Sequence, residues 1–337
     1  MPQANPVLVE ITRGASVESI HRGAYVAIGP GGAVVEAAGD VARAVFPRSA
    51  IKVLQALPLV ESGAADDAGF TDADLALAIS SHSGEPMHTS RARGMLSRLG
   101  LGEDALACSP HWPQRMEDQA ALHRAGEEPC RLHNNCSGKH AGMLALAAGL
   151  GAPPAGYEKA EHPVQQAVRA VMEAMTGAAH EVGNCGIDGC AIPTYAVPLE
   201  ALARAFARIA TGEGMDEARA AAVTRLRRAA AAHPELVAGT GRFCTRVMRA
   251  FGEAAFVKTG AEGVFCAALP GRGLGIALKI DDGATRASEA VMAALLRRHL
   301  APSGEAADVL ASFADKPIVT WGGVPVGATR VILPDGR

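Results

Sequence analysis

Aromatic side chains are scarce in this chain: 8 Phe, 3 Tyr and 2 Trp in 337 residues. Stacking platforms for nucleic-acid bases need clusters of such residues, so that class of partner is not expected. An excess of one charge is also missing, since 32 Lys and Arg face 35 Asp and Glu for a net charge of −3. Such a balance has no particular attraction for a polyanion or an anionic membrane. No run approaches the roughly 18 uninterrupted apolar residues of a membrane span. The stretch Met1 to Gly14 lacks a basic leader, an apolar run and a small-residue cleavage site, so it does not read as a secretory signal. The seven cysteines are odd in number and scattered. They predict reduced thiols in a cytoplasmic protein rather than a disulfide framework, and they leave metal binding open.

With 49% hydrophobic and 20% charged residues the composition is that of a globular protein. The length suffices for one large domain or two modest ones. Scarce aromatics leave the core to Ala, Val, Leu and Ile.

Val7, Val9 and Ile11 alternate as in a strand, and Tyr25–Ile28 runs into a Gly29-Pro-Gly-Gly32 turn, predicting a hairpin or meander. After Pro47, the apolar stretch from Ser49 to Leu57 predicts a helix with Ser49 in its first turn. Apolar spacings of three and four predict helices over 72–80, 88–99, 139–149, 161–175, 198–210 and 217–232. His-Pro at 162–163 and 233–234 marks helix starts. Strand patterns return at 255–258, 264–269 and 274–280, followed by a turn at Asp281-Asp-Gly283, a helix over 287–300 and a strand over 326–333. The expected fold is therefore α+β: an antiparallel sheet from both chain ends, flanked by helices, with an inserted helical lobe. The boundaries drawn are 1–70 and 241–337 for the sheet lobe and 71–240 for the helical lobe.

Ser49-Ala-Ile-Lys52 is a Ser-x-x-Lys motif, which on a helix puts both side chains on one face. A serine hydroxyl is a weak nucleophile without an adjacent base, and a lysine can be that base once burial or another cation lowers its pKa. By itself the motif is as compatible with a surface serine beside a solvated lysine. Ser81-His82-Ser83 and Lys258-Thr259-Gly260 change the balance. Ser-x-x-Lys, Ser-Asp-Asn and Lys-Thr-Gly in that order mark serine β-lactamases and penicillin-binding proteins. Here the outer two match literally and the middle one reads Ser-His-Ser. Together they offer a nucleophile–base pair, a second hydroxyl and a strand-borne cation. Lys258 alone reads equally as an edge-strand gatekeeper.

The run His133-Asn-Asn-Cys136-Ser-Gly-Lys139-His140 opens an apolar helix, placing Cys136 where the helix dipole favours a thiolate. A second polar loop, Gly183-Asn-Cys185-Gly-Ile-Asp188-Gly-Cys190, is expected between helices. Thiolates from the two loops can bind zinc, or both cysteines can be inert core residues. Asp188 suits a substrate amine or the orientation of a base, and equally a turn. Cys108, Cys130, Cys244 and Cys266 lack such context. His21, His88, His111, His123, His162, His180 and His233 read as surface or capping residues.

Arg48-Ser49-x-x-Lys52, Ser80-Ser81-His82-Ser83, Cys136-Ser-Gly-Lys139-His140, Asp188-Gly-Cys190-x-x-Pro193-Thr194 and Val237-Ala-Gly239-Thr-Gly-Arg242, with the late lysine strand, resemble the asparaginase II family of Rhizobium-type (class 3) L-asparaginases. The resemblance covers essentially the whole chain, and Cys-Ser-Gly-Lys-His is its most specific block. It implies a fold similar to serine β-lactamases and glutaminases, a homodimer, and hydrolysis of L-asparagine to L-aspartate and ammonia. It further implies two Ser–Lys tandems, Ser49 with Lys52 and Ser81 with Lys258. It implies one zinc ion per chain held by Cys136, Lys139 and Cys190 with water, assisting binding rather than activating the attacking water. Arg48, His82, Asp188 and Gly239 fall at substrate-binding positions. Lys258-Thr-Gly departs from the residue family members often carry after that lysine, towards the β-lactamase pattern.

On these residues either Ser49 or Ser81 can be the nucleophile of an acyl-enzyme, with the other relaying protons. A β-lactamase or esterase, a glutaminase, and a non-catalytic amino-acid-binding protein are the competing expectations.

Overall fold

Strands form at the two ends of the chain because their apolar residues alternate or run continuously there, and they find one another across almost the full sequence. The computed structural model describes residues 4–334. Its sheet has eight strands: β1 (Val7–Arg13), β2 (Ser16–Ile28), β3 (Val34–Ala38), β4 (Phe256–Thr259), β5 (Val264–Leu269), β6 (Leu274–Ile280), β7 (Pro317–Val319) and β8 (Pro325–Val331). The order is β7-β8-β1-β2-β6-β5-β4, every pairing is antiparallel, and β3 adds to β2. Val9 sits opposite Val331 and Ala277 opposite Val26, so the two ends of the chain share one sheet.

The α+β architecture is therefore as expected. Every residue of β5 is buried, which requires cover on both faces. Two helices touch both β5 and β6: Leu199–Thr211 and Thr285–Leu300. Each supplies one cover. In the first, Leu199, Leu202, Phe206 and Ile209 recur at helical spacing and are buried. Gly212, with φ 76°, ends that helix in a left-handed cap.

This sheet unit comprises the chain up to Ala50, Val197–Glu213 and everything from Arg249 onward. The second unit, Ile51–Ala196 with Gly214–Met248, is mainly helical. The division differs from the one drawn at 70 and 240. The segment 51–70 forms short helices that pack on the helical unit's own centre, whereas Leu199–Thr211 is recruited to cover the sheet.

The centre of the helical unit is Ser137–Gly149, buried from Ser137 through Ala147. It packs against Leu57–Glu61, Ala64–Asp67, Asp72–Ala78, Pro86–Arg98 and Pro163–Thr176. Gly138 and Gly149 lie against Leu77 and Ala64, where a side chain has no room, and a Cβ at Gly142 would stand 3.2 Å from Ala78.

Three local expectations change. The helix expected from Ser49 is a 3₁₀ turn, Arg48–Ile51, followed by two short helices, Lys52–Gln55 and Leu57–Glu61. Pro58 has no N–H to donate, so a continuous helix cannot pass through it. The loop around Cys185 and Cys190 contains an antiparallel hairpin, Cys185–Ile187 with Pro193–Tyr195. Strand β2 starts nine residues earlier than expected, because Ser16–Arg22 pairs with β1 although Val17 and Ile20 on it stay exposed. The helices Met116–Ala125 and Gly304–Ala314 were not expected either. The first buries no residue, so it has no apolar stripe to read. No described helix is long and apolar enough to cross a membrane.

Asp74 is a buried anion of the helical unit. Its side chain is 1% exposed, with Arg91 at 3.0 Å and Arg98 at 2.7 Å. It also caps its own helix by accepting from the Thr71 N–H at 2.9 Å. Burial raises its pKa, but Thr71, Arg91 and Arg98 outweigh that and hold the carboxyl below its usual range. A depressed folded-state pKa contributes stability that is full above the unfolded pKa and is lost as pH falls through the folded one. Asp74→Asn is expected to destabilise the protein by about 2–4 kcal/mol at pH 7. Urea unfolding of both proteins across pH checks this, and the difference must shrink as the solution is made acidic.

Candidate functional site

Sequence-predicted site residues fall in both units, and each unit has its own local geometry. In the sheet unit, Ser49 is half-buried on the turn Arg48–Ile51. The turn is closed by Ala50 N–H donating to the Pro47 carbonyl at 3.1 Å. Arg48 has φ 51°, a left-handed conformation that a non-glycine residue adopts at a cost of order 1–3 kcal/mol. Lys258 is 1% exposed on β4, and its amine donates to the Thr259 carbonyl at 2.9 Å. The glycine of Lys258-Thr-Gly260 is required by proximity. A Cβ there lies 2.7 Å from the Pro47 oxygen and 3.2 Å from the Ala50 nitrogen. The end of β4 thus rests directly on the turn that carries Ser49, and the structure brings these two motif elements together.

In the helical unit, Lys52 is 2% exposed. Its amine donates to the Ser80 carbonyl at 2.5 Å and lies 3.0 Å from Cys136 Sγ. The lysine is therefore pinned beside the residue preceding Ser81. Ser81 itself is buried and anchored by its N–H to the Val237 carbonyl at 2.9 Å.

His82 is not placed as expected for a substrate contact. It is wholly buried and both ring nitrogens are engaged: Nδ1 accepts from Gly84 N–H at 3.1 Å and Nε2 donates to Ser137 Oγ at 2.9 Å. Ser137 passes the bond on to the Leu132 carbonyl at 2.9 Å. Burial, with His88 and Lys52 adding to it, holds His82 far below its ordinary pKa, so it is neutral. It stacks on His88 at 4.7 Å. His88 is likewise buried rather than at the surface, bonded to the Glu85 N–H and the Glu235 carbonyl. These histidines position the Ser80–Glu85 loop.

Gly239 is the other side of that loop's anchorage. Its φ is 126°, and a Cβ would stand 2.3 Å from Ser83 Oγ and 2.7 Å from Glu85 Oε1. Next to it, Thr240 donates to Glu85 through its N–H at 2.8 Å and its hydroxyl at 2.6 Å. Arg115 adds a third bond to the same carboxylate at 3.1 Å. Nothing in the sequence around Glu85 marks it, since its partner Thr240 is 155 positions away.

Cys136 caps the central helix, as expected, and Lys139 is one turn further on, 3% exposed. Cys190 is in the hairpin loop closed by Asp188 N–H to the Ile192 carbonyl at 2.8 Å. Lys139 Nζ is 2.9 Å from Cys190 Sγ, and Lys139 lies on the same helix as Cys136, one turn along. The predicted trio is thus gathered in one buried place. The Cys190 hydrogen bond, with Lys52 and Lys139 nearby, overcomes burial and holds Cys136 far below the usual thiol range. The same bond and burial push Cys190 up. Burial lowers the Lys139 pKa, but the two sulfurs more than reverse this. Asp188 is half-buried and its charge reaches both Lys139 and Cys190.

Among the described residues no group of three or more His, Cys, Asp and Glu side chains is placed to hold a metal. The Cys136–Lys139–Cys190 set has two such side chains and an amine. Two sulfurs and one nitrogen are a donor set that suits zinc, provided the lysine gives up its proton. Cys108, buried near Cys136, had no sequence signal, and burial pushes its thiol up to about 12. The buried Ser80 Oγ, His140 Nε2 and Thr194 Oγ1 have no hydrogen-bond partner among the described residues.

A family model described as L-asparaginase II matches residues 9–331. A search of curated proteins gave no match. Among solved structures, the chain is similar to Mglu in its native form at 17% identity and a TM-score of 0.44, over 83% of this chain and 64% of that one. Mglu in its tris and glutamate form gives 16%, 0.47, 89% and 65%. A beta-lactamase from Burkholderia vietnamiensis gives 16%, 0.36, 87% and 91%. The chain thus spans less than two thirds of the length of these Mglu chains.

The closeness of β4 to the Ser49 turn gives a direct test. Gly260→Ala is expected to lower stability by about 1–3 kcal/mol, because backbone atoms stand where the methyl must go. Gly322→Ala, whose nearest heavy atom is Thr320 Oγ1 at 3.8 Å, should stay within about 0.5 kcal/mol of wild type. Paired denaturant titrations compare them, and equal effects would discount the close approach.

Proposed function

The chain belongs to the L-asparaginase II family, and from that premise we propose that it is an amidohydrolase that converts L-asparagine to L-aspartate and ammonia. The observation that carries the proposal is the burial of two lysines: Lys52 at 2% exposure, in the motif that carries Ser49, and Lys258 at 1%, on the strand whose end rests on the Ser49 turn. Lysine is almost never buried without a partner, and buried amines are how enzymes obtain a lysine base.

In the proposed reaction Ser49 attacks the side-chain amide carbon of asparagine and ammonia leaves as the acyl-enzyme forms. Water then releases aspartate. A lysine amine must accept the serine proton and return one to the leaving nitrogen. Lys52, three residues along the chain, and Lys258, on the strand that rests on the Ser49 turn, are the two candidates. Ser81 is the proton relay, or the nucleophile should Ser49 be the relay. Arg48 and Asp188 are proposed to bind the charged ends of the amino acid. His82 is proposed to hold the Ser81 loop, its side chain being wholly buried, while Gly239 stays a proposed substrate-binding position.

Cys136, Lys139 and Cys190 are proposed to hold one zinc ion per chain. When bound, it supplies a fixed positive charge that helps position the substrate. A homodimer in the cytoplasm completes the proposal.

Ammonia release from asparagine and from glutamine, with and without zinc, tests the reaction directly. Ser49→Ala and Lys52→Ala are each expected to lower kcat by about 10²–10⁴-fold. If neither Ser49→Ala nor Ser81→Ala slows the reaction, the Ser–Lys mechanism is wrong. The Lys258-Thr-Gly match makes a chromogenic β-lactam the comparison substrate, and faster turnover of it than of asparagine would replace the substrate assignment. For the metal, cobalt added to the purified chain should give thiolate-to-cobalt absorption. Cys136→Ser and Cys190→Ser should each weaken cobalt binding by at least about tenfold.

A further inference from the structure

The segment Ser109–Arg115 belongs to no helix or strand, yet it is bonded to both segments that meet at Lys52. On one side, the Gln114 N–H donates to the Ser83 carbonyl at 2.8 Å and Arg115 donates to Glu85 at 3.1 Å. On the other, the Ser109 carbonyl accepts from the Asn134 side-chain amide at 2.6 Å. His111 adds a bond to the main chain there, with its Nε2 accepting from the Asn135 N–H at 2.8 Å. An amide N–H can only donate, so Nε2 is the acceptor and the ring proton is on Nδ1. That Nδ1 donates to the Trp112 carbonyl at 2.9 Å, and the half-buried ring has both nitrogens engaged.

Asn135 matters through its own carbonyl. This oxygen accepts from the His82 N–H at 3.2 Å and lies 3.5 Å from the Lys52 amine, whose short bond goes to the Ser80 carbonyl. The main chain at Asn135 therefore touches both the lysine and the residue next to Ser81.

We infer that His111 is a positioning residue for the proposed hydrolysis. By holding the Asn135 main chain it fixes the carbonyl against which the Lys52 amine and the Ser81–His82 peptide are set. His111 acts through Asn135, not on the substrate. This role rests on the proposed reading of Lys52 and Ser81 as parts of the catalytic machinery, whereas the anchorage of Asn135 does not. A displacement of about 1 Å in such machinery can cost about 10²-fold in rate.

Two variants of the full-length chain separate anchorage from packing. His111→Gln keeps an acceptor that can reach the place of Nε2, and His111→Phe keeps a ring without an acceptor. The first readout is hydrogen exchange at the Asn135 amide. It should be slow in the wild type, at least about tenfold faster in His111→Phe, and within about threefold of wild type in His111→Gln. The second is steady-state ammonia release from asparagine. His111→Phe should lower kcat about 10–100-fold while KM moves by less than about threefold, and His111→Gln should recover most of kcat.

Rapid exchange at Asn135 in the wild type would overturn the anchorage without any variant having to fold, as would equal exchange in wild type and His111→Phe. His111→Phe as active as wild type, or His111→Gln as impaired as His111→Phe, would reduce the ring to a space-filler and overturn the positioning role. A wild type that releases no ammonia, or a fully active Lys52→Ala, would remove the proposed reaction and the positioning role with it. The Asn135 amide would still exchange slowly in that case, so the two failures are told apart.

Discussion

The amine of Lys52, pressed between the Ser80 carbonyl at 2.5 Å and the Cys136 sulfur at 3.0 Å, is the interaction on which the helical unit's arrangement depends. A buried amine is expensive unless partners replace its water. Those partners are supplied by two different segments, the loop that carries Ser81 and the cap of the central helix. Satisfying one lysine therefore fixes where both segments sit. The same logic recurs at Lys139, whose partner is the hairpin cysteine.

Around these amines the rest of the unit is a frame. His82 and His88 stack, buried, and spend their nitrogens on backbone and Ser137. Glu85 gathers Thr240 and Arg115, and Gly239 is glycine because Ser83 and Glu85 occupy the space of its Cβ. His82, His88 and Glu85 are each satisfied within the protein, and with the Lys52 amine on the Ser80 carbonyl they hold the loop bearing Ser81. A buried network in which every member is satisfied favours a single geometry, which reactive side chains require.

In the sheet unit, one close approach serves the same purpose. Gly260 lets β4 lie on the Pro47–Ala50 turn, and Arg48 carries the local strain in its φ of 51°. Strain of this kind persists only where the surroundings enforce it, and here it adjoins the serine of a Ser-x-x-Lys motif. Family membership and this geometry bear on different things. The first concerns ancestry across residues 9–331, whereas the second concerns which atoms stand near Ser49.

Much of this was legible in the primary structure because it is local. Alternation along Val7–Ile11 and the continuous apolar run Val264–Leu269 depend only on neighbouring residues, so the strands and the α+β architecture followed from them. The Cys136-Ser-Gly-Lys139-His140 block likewise announced a helix capped by a cysteine, and that is where Cys136 lies. Other features depend on which neighbours a segment meets. Pairing with the adjacent β1 made a strand of Ser16–Arg22 although its apolar residues stay exposed. His82 carried the composition of a contact residue, but packing against Ser137 and His88 made it a buried strut. The sequence by itself determined which chemical groups are available: two serines, two lysines, and a cysteine–lysine–cysteine set. Only the tertiary structure decided which of them are buried and what each amine touches, because desolvation and hydrogen bonding are properties of neighbours brought from elsewhere in the chain.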